Sequence, residues 1–580
     1  MVLIVPKSDS SIKQKFIEQL FSSMSLEQKI GQMFVIGFTG TMVTPCILDR
    51  IRKYHPAGIR VGLTLRSKTA ISDPYATSEK FAHRVLRKPS GLVKDLVNNI
   101  AVPSISNAEY CEVLNKLKQA GLDNGDVPAH ITIDMEGDAS ADYPRGGIHF
   151  FPNPMGLTAS GNPEVAYKVG WAIGRQVAPL GVSWIHSPVL DVNTNPLNPE
   201  IGTRSFSGST EEVIRYSKEM LRGLTENGII CTGKHFPGRG ACSEDAHSQL
   251  PTIDLSRKEM DDHIRPFVEL FEAGLPAIMS AHTAYPQIDK SGLPASLSKI
   301  ILTDMLKREY GFKGVITTDD ITMGGIVEKF EVAQACIEAI KAGNDLILFR
   351  EEGNLIDEVF PALLSSAKNG QISEERIKDA VLRTLGVKYD FGFFKNGTLK
   401  LPELADGGIK DPVVVSIADN SARSALQVID HAKMLPVDRS KRILLIEQVN
   451  PLHKLVNSQQ CHPALLWENF FMHSPGTCMV EVNMEITEQD QRRVLERINE
   501  ADIIVATNYY YRRAGNSTQF IEHLSTLSKP LIVITNTPYP FGVSPAFKTV
   551  VISYGASPES MKHVAEAIFG AQVFATDKQR

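Results

Sequence analysis

The stretch KHFPGRGACSEDAHSQLP, residues 234–251, packs a lysine, two histidines, two acids and several glycine and proline breakers into one short segment. The breakers exclude a helix. The apolar run Ile229-Ile230-Cys231 leads into it, so the polar groups sit where a strand ends. Within it, Asp245 and His247 stand two residues apart. A histidine can give and take a proton near neutrality. A carboxylate on its second nitrogen fixes the tautomer and stabilises the protonated form. Two other readings stay open: a metal half-site made with His235, and a histidine satisfied by a local turn. No second tight pair of ligand types accompanies the first, which favours proton transfer over metal binding. Asp319, in GVITTDDITMGG, ends another apolar run. A carboxylate fixed at a strand end beside a general acid is the equipment of glycoside hydrolysis: one group protonates the leaving oxygen, the other attacks the anomeric carbon. The adjacent Asp320 is expected to point elsewhere and to cap the following helix.

The elements that must position these groups are legible as eight short apolar runs. They are FVIGF at 34, GIRVG at 58, ITIDM at 131, VSWIHSPVL at 182, IICTGKH at 229, AIMSAHT at 277, GVITTDD at 314 and DLILFRE at 345. Segments of helical periodicity separate most of them. In residues 209–228, for example, Val213, Tyr216, Met220 and Leu221 share one face. Strand and helix alternating about eight times predicts a (β/α)8 barrel of the TIM type, with its active site at the carboxyl ends of the strands. Six of the eight runs end in groups with chemistry: Asp134 and Glu136, His186 and Asp191, Lys234 and His235, His282, Asp319 and Asp320, and Arg350. Residues 63–128 are long for a strand-to-helix connection and read either as a lid over the barrel mouth or as a plain surface insertion.

The barrel is expected to fill residues 1–390. A Gly- and Pro-rich linker follows over 391–430, then a smaller α/β sandwich domain over 431–580. Four apolar runs mark that domain, at 442, 503, 530 and 549. Asn508, Tyr509, Tyr510, Arg512 and Arg513 lie at the end of one of them and read as a solvated edge or a binding patch.

With 580 residues, 43% hydrophobic and 22% charged, the chain has the composition of a globular protein. A net charge of −5 gives no argument for nucleic acid or an anionic membrane as partner. No apolar run reaches the ~18 residues of a membrane helix. The start, MVLIVPKSDS, lacks the basic region and long apolar region of a signal peptide. Seven cysteines without tight pairing fit free thiols in a reducing compartment. Together these predict a cytoplasmic protein, and the carboxylate and histidine groups above make a small carbohydrate its expected partner, with no metal or cofactor needed.

Several long motifs make the reading more specific. KHFPGRG, four residues, then DAH resembles the KHFPGHG-x4-D-S/T-H loop of glycoside hydrolase family 3, in its β-N-acetylglucosaminidase branch. SPVLDVNTNPLNPEIGTRSF (187–206) is similar to that family's APVLDVNxNPxNPxIGxRSF. MSAHTAYPQID, LPASLS, GVITTDDITMGGI and AGNDLIL follow in the family's order. The resemblance spans roughly residues 25–390. It implies Asp319 as nucleophile, His247 as acid/base and Asp245 as its partner. It also implies sugar-binding positions at Asp134, Arg204, Lys234 and His235, and a retaining mechanism through a glycosyl-aspartate. The expected activity is removal of terminal β-linked N-acetylglucosamine, in turnover of cell-wall or chitin fragments.

The departures lie on one side of the pocket. The family's D-Q-E-G-G-R is here Asp134-Met135-Glu136-Gly137-Asp138. Asp142 occupies the place of a further arginine, for which Arg145 is the nearest substitute. RVGLTLRS lacks the usual phenylalanine and asparagine after the second strand. Alternatives therefore stay open: a β-glucosidase or other hexosidase, or a phosphorylase, since a neutral histidine repels phosphate less than a carboxylate does. Asp319, Asp245 and His247 occurring together argue against a non-catalytic sugar binder.

Overall fold

The structure, a computed structural model, describes residues 10–62, 105–125, 127–138, 140–142, 147–247, 249–350, 352–395, 399–449, 464–510 and 517–570. Arg145, most of the 63–128 stretch, and Arg512 and Arg513 lie outside the described residues.

Eight parallel strands close into a barrel: β1 (Phe34–Thr39), β2 (Gly58–Gly62), β3 (His130–Ile133), β4 (Trp184–Ile185), β5 (Ile230–Phe236), β6 (Ala277–Ser280), β7 (Val315–Asp320) and β8 (Leu346–Leu348). Each strand hydrogen-bonds to its sequence neighbours, and β1 pairs with β8 to close the ring. All eight coincide with the apolar runs. They read as continuous hydrophobic segments because both faces are covered, one by barrel interior and one by helices. Val35, Trp184, Ile230, Ala277, Met279, Val315 and Leu346 fill the interior. Outside, helix Thr210–Thr225 buries Val213, Tyr216, Met220, Leu221 and Leu224 against the barrel wall. Ser256 and Glu259 form a reciprocal capping box that starts helix Arg257–Glu272.

The second sheet has six strands: β9 (Gln427–Asp430), β10 (Ile443–Val449), β11 (Cys478–Asn483), β12 (Ile503–Thr507), β13 (Leu531–Thr535) and β14 (Thr549–Ile552), in spatial order β9-β14-β13-β12-β10-β11. Only β9 runs antiparallel to its neighbour. Separate apolar clusters cover its two faces, one around Leu445, Val505 and Ile534, the other around Leu444, Ile504 and Val533.

Residues 391–430, expected as linker, are structured in their second half. Helix Pro412–Ala425 buries Val414 and Ala418 in the barrel's core, and β9 already belongs to the second sheet. Its helical face is short and its strand half-exposed, so neither made a recognisable apolar run. Among the described residues no helix is long and apolar enough to cross a membrane.

Candidate active site

The carboxyl ends of the barrel strands surround a pocket lined by Arg60, Asp134, Arg204, Lys234, His235, Arg239, His247, Met279, Asp319, Asp320, Met323, Leu348 and Arg350. Residues from seven places in the sequence converge here because barrel closure brings every strand end to one rim.

Lys234 and His235 are consecutive on β5, where a regular strand would point them to opposite faces. The register against β6 shifts between Lys234 and Phe236, and this irregularity lets both side chains line the pocket. Lys234 Nζ donates to Asp134 Oδ1 at 2.8 Å and sits 2.5 Å from Glu136 Oε1. Arg204 clamps Glu136 with two bonds, Nε to Oε2 at 2.8 Å and Nη2 to Oε1 at 2.9 Å. This bidentate fork holds the Arg204 guanidinium in one plane at the rim. Burial disfavours the Asp134 carboxylate, but the charges of Lys234 and Arg60 outweigh it and hold the group well below the usual range.

His235 Nδ1 lies 2.7 Å from Asp191 Oδ2 in a fully buried pair. Burial, reinforced by Arg239, Arg204 and Lys234, keeps the His235 ring neutral. The hydrogen therefore sits on Nδ1 facing Asp191, and Nε2, 3.8 Å from Asp319 Oδ2, is left as an acceptor toward the pocket.

Asp319 is the last residue but one of β7, with its side chain 14% exposed. Its Oδ1 accepts from the Asp320 backbone at 2.8 Å, while Oδ2 is 3.4 Å from Arg239 Nη2. Burial raises its pKa, yet Arg239, then His282 and His247, pull it below the ordinary carboxylate value. Asp320 also borders the pocket, but its carboxylate accepts from Thr322 N and Oγ1 and so caps the turn that follows.

His247 Nδ1 lies 2.7 Å from Asp245 Oδ1, and the same oxygen accepts from the His247 backbone at 2.8 Å. The two-residue spacing thus closes a local ring. Burial disfavours the Asp245 carboxylate, but its bond to His247 wins and lowers its pKa. With Nδ1 engaged, Nε2 is the nitrogen available to a ligand.

Two residues that the sequence brought forward do not reach the chemistry. His186 is packed between Thr132 and Thr232 inside the barrel, and His282 bonds Ser296 and the Asp320 carbonyl. Two others were missed. Arg60, on β2, is 1% exposed and bridges Asp134 and Asp142; a lone arginine inside a buried strand was its only signal. Glu200 lies 2.7 Å from Arg239 Nη2 and 3.2 Å from His247 Nδ1. Glu200, Asp245 and His247 come close enough together to be metal-ligand types. The Arg239 guanidinium on Glu200 opposes a second cation there.

Residues 25–387 match the family description "Glycosyl hydrolase family 3 N terminal domain". A beta-N-acetylglucosaminidase/beta-glucosidase of Cellulomonas fimi is 26% identical over 77% of this chain and 83% of its own length. A beta-hexosaminidase of Idiomarina loihiensis is 34% identical over 38% of this chain and 67% of its own. The solved glycoside hydrolase family 3 beta-N-acetylglucosaminidase of a Paenibacillus species superposes with a TM-score of 0.81 at 25% identity, covering 94% of this chain and 97% of that one. A barrel with catalytic-type residues on its carboxyl rim, a second α/β domain and a family match across most of the barrel agree: the chain belongs to glycosyl hydrolase family 3.

Proposed function

We propose that the protein is a retaining exo-glycosidase that removes terminal β-linked N-acetylhexosamine, with N-acetylglucosamine as the first candidate. The observation that carries the reading is the Asp245–His247 pair, 2.7 Å apart, whose histidine lines the same pocket as the largely buried Asp319, a carboxylate that Arg239 holds below its ordinary pKa. In the first step the Asp319 carboxylate attacks the anomeric carbon, the glycosidic C–O bond breaks, and His247 Nε2 passes its proton to the leaving oxygen. Asp245 compensates the imidazolium before that transfer and fixes its orientation. In the second step the neutral imidazole takes a proton from water, the water oxygen attacks the same carbon, and the ester to Asp319 breaks. Two inversions leave the β-configuration in place. Asp134, Arg204, Lys234 and His235 supply donors and acceptors to sugar hydroxyls, and the Lys234–Asp134 pair, Glu136 on Arg204 and Asp191 on His235 hold them in place before the substrate arrives. The relatives' names bear on the choice of sugar, and Met279, Met323 and Leu348 give the pocket an apolar side for a ring face.

A panel of nitrophenyl glycosides tests this reading. The N-acetyl-β-glucosaminide should turn over fastest. A clear preference for the β-glucoside would replace the substrate assignment, and no turnover of any member would remove the hydrolase reading. A 2-fluoro or 5-fluoro slow substrate should leave its label on the peptide that carries Asp319.

A further inference from the structure

The two carboxylates at His247 Nδ1 are not equivalent. Asp245 is its neighbour in sequence. Glu200 comes from the β4–β5 side of the barrel rim, and its Oε1 stands 3.2 Å from that nitrogen. Glu200 is also placed from every direction. Its Oε1 accepts from Arg239 Nη2 at 2.7 Å, and its Oε2 accepts from the backbone of Ala246, inside the Asp245–His247 turn, at 3.2 Å. Asn198 pins its backbone: Oδ1 accepts from Glu200 N and Ile201 N, while Nδ2 donates to the Arg239 and Gly240 carbonyls. Arg239 in turn reaches Asp319 Oδ2 at 3.4 Å. A continuous chain of charged contacts therefore joins the acid/base turn to the nucleophile.

The residue before Glu200 is held by the other domain. Tyr510 lies just beyond β12, and its hydroxyl donates to the Pro199 carbonyl at 2.7 Å. Tyr510 is itself held in place by its neighbours. Its backbone N–H donates to Asn536 Oδ1 at 2.9 Å, its carbonyl accepts from Asn536 Nδ2 at 3.1 Å, and its ring stacks on Phe541 at 4.4 Å and 16°. The edge expected to be solvated is thus a brace between domains.

We propose that Glu200 is a second positioning carboxylate for the acid/base His247, and that the second domain fixes its place through Tyr510 and Pro199. This rests on the assignment of His247 made above. Two carboxylates on one nitrogen compensate the protonated ring more fully than one. A turn held from both sides keeps Nε2 aimed at the leaving oxygen. The second domain then contributes to proton transfer without touching substrate.

The test compares kcat/KM for a disaccharide, whose leaving group needs a proton, with that for an aryl glycoside bearing an activated leaving group. General acid assistance is worth roughly 100-fold or more for the former and little for the latter. Glu200→Gln should lower the disaccharide value by ~10- to 100-fold while changing the activated substrate by about threefold or less, as a partial loss of that assistance. Glu200→Asp should recover part of the difference. Tyr510→Phe, which keeps the ring and its stacking, should shift the same ratio by ~2- to 10-fold, the effect of one hydrogen bond. Equal losses on both substrates in Glu200→Gln and Tyr510→Phe, or no loss in either, would overturn the proposal. His247→Ala, run alongside, separates the two possible failures. If it shows the leaving-group dependence and Glu200→Gln does not, only the role of Glu200 falls. If His247→Ala lacks it, the assignment of His247 falls first.

Discussion

Arg60 and Asp142 form a buried ion pair, Nη2 to Oδ2 at 2.6 Å, and the same Nη2 donates to Asp134 Oδ2 at 2.7 Å. The carboxylate of Asp142 also accepts from the Asp134 backbone at 2.5 Å. The family pattern has an arginine where Asp142 stands. Here an acid from the loop after β3 meets a guanidinium from the neighbouring strand β2, and Asp134 keeps Arg60 as a cationic partner. The expected substitute, Arg145, lies outside the described residues. Burial pushes the Asp142 carboxyl up, even beside Arg60.

This arrangement predicts strong coupling. Arg60→Met leaves Asp134 and Asp142 buried without their shared partner and should cost about 3–5 kcal/mol of stability. Asp142→Asn in the same chain should recover a good part of that loss, because one of the two stranded acids is removed. Thermal or denaturant unfolding of both single variants and the double variant measures the coupling. Additive losses would mean that the pair is independent of the pocket's charge balance.

In the proposed mechanism the acid side of the pH profile should report Asp319. Burial raises its pKa, but Arg239 and then His282 and His247 outweigh burial and lower it. A nucleophile must be ionised, so a depressed pKa keeps activity as pH falls through the usual carboxylate range. The acid limb of kcat/KM should therefore lie below that range. Arg239→Met removes the leading favourable charge and should move the limb upward, toward neutrality. An unmoved limb would assign it to another group.

In the proposed mechanism the nucleophile and the acid/base fail in different ways. Asp319→Ala should keep the fold and lose activity on every substrate by ~10⁴-fold or more, since no covalent step remains. His247→Ala should lose ~100-fold or more on a disaccharide and far less on an activated aryl glycoside. Asp245→Asn should follow His247→Ala in direction, because the ring loses its closest counter-charge. Near-wild-type disaccharide cleavage by both dyad variants would end the dyad assignment.

Activity should survive prolonged chelation. Glu200, Asp245 and His247 have ligand-type atoms, but Arg239 already occupies the Glu200 carboxylate at 2.7 Å. Loss of activity on chelation, restored by zinc, would point to a metal at this cluster.

The first-formed sugar should be the β-anomer from a β-glycoside, observed by NMR before mutarotation. In phosphate buffer the main product should remain the free sugar. Accumulation of a sugar 1-phosphate would move the enzyme toward phosphorolysis.

The eight barrel strands, the order of their rim residues and the Asp245–His247 pair were all legible in the chain. Each depends on local facts: continuous apolar runs for strands buried on both faces, breakers at their ends, and a two-residue spacing that closes its own hydrogen-bonded ring. β9 and β11 were not legible, because both are edge strands with mostly half-exposed residues and form no apolar run. Nor did residue type alone separate histidines that line the pocket from packed ones. His282 and His186 carry the same chemistry as His247, but barrel closure seals them against Ser296, Thr132 and Thr232. The partners that set the pocket's charge come from distant places: Arg60 with Asp142, Glu200 with Arg239, and Tyr510 of the second domain on Pro199. Periodicity and spacing report only what neighbours along the chain can do. Which buried charge neutralises which is decided when the barrel closes and the second domain docks, since a buried ion must find its partner in space.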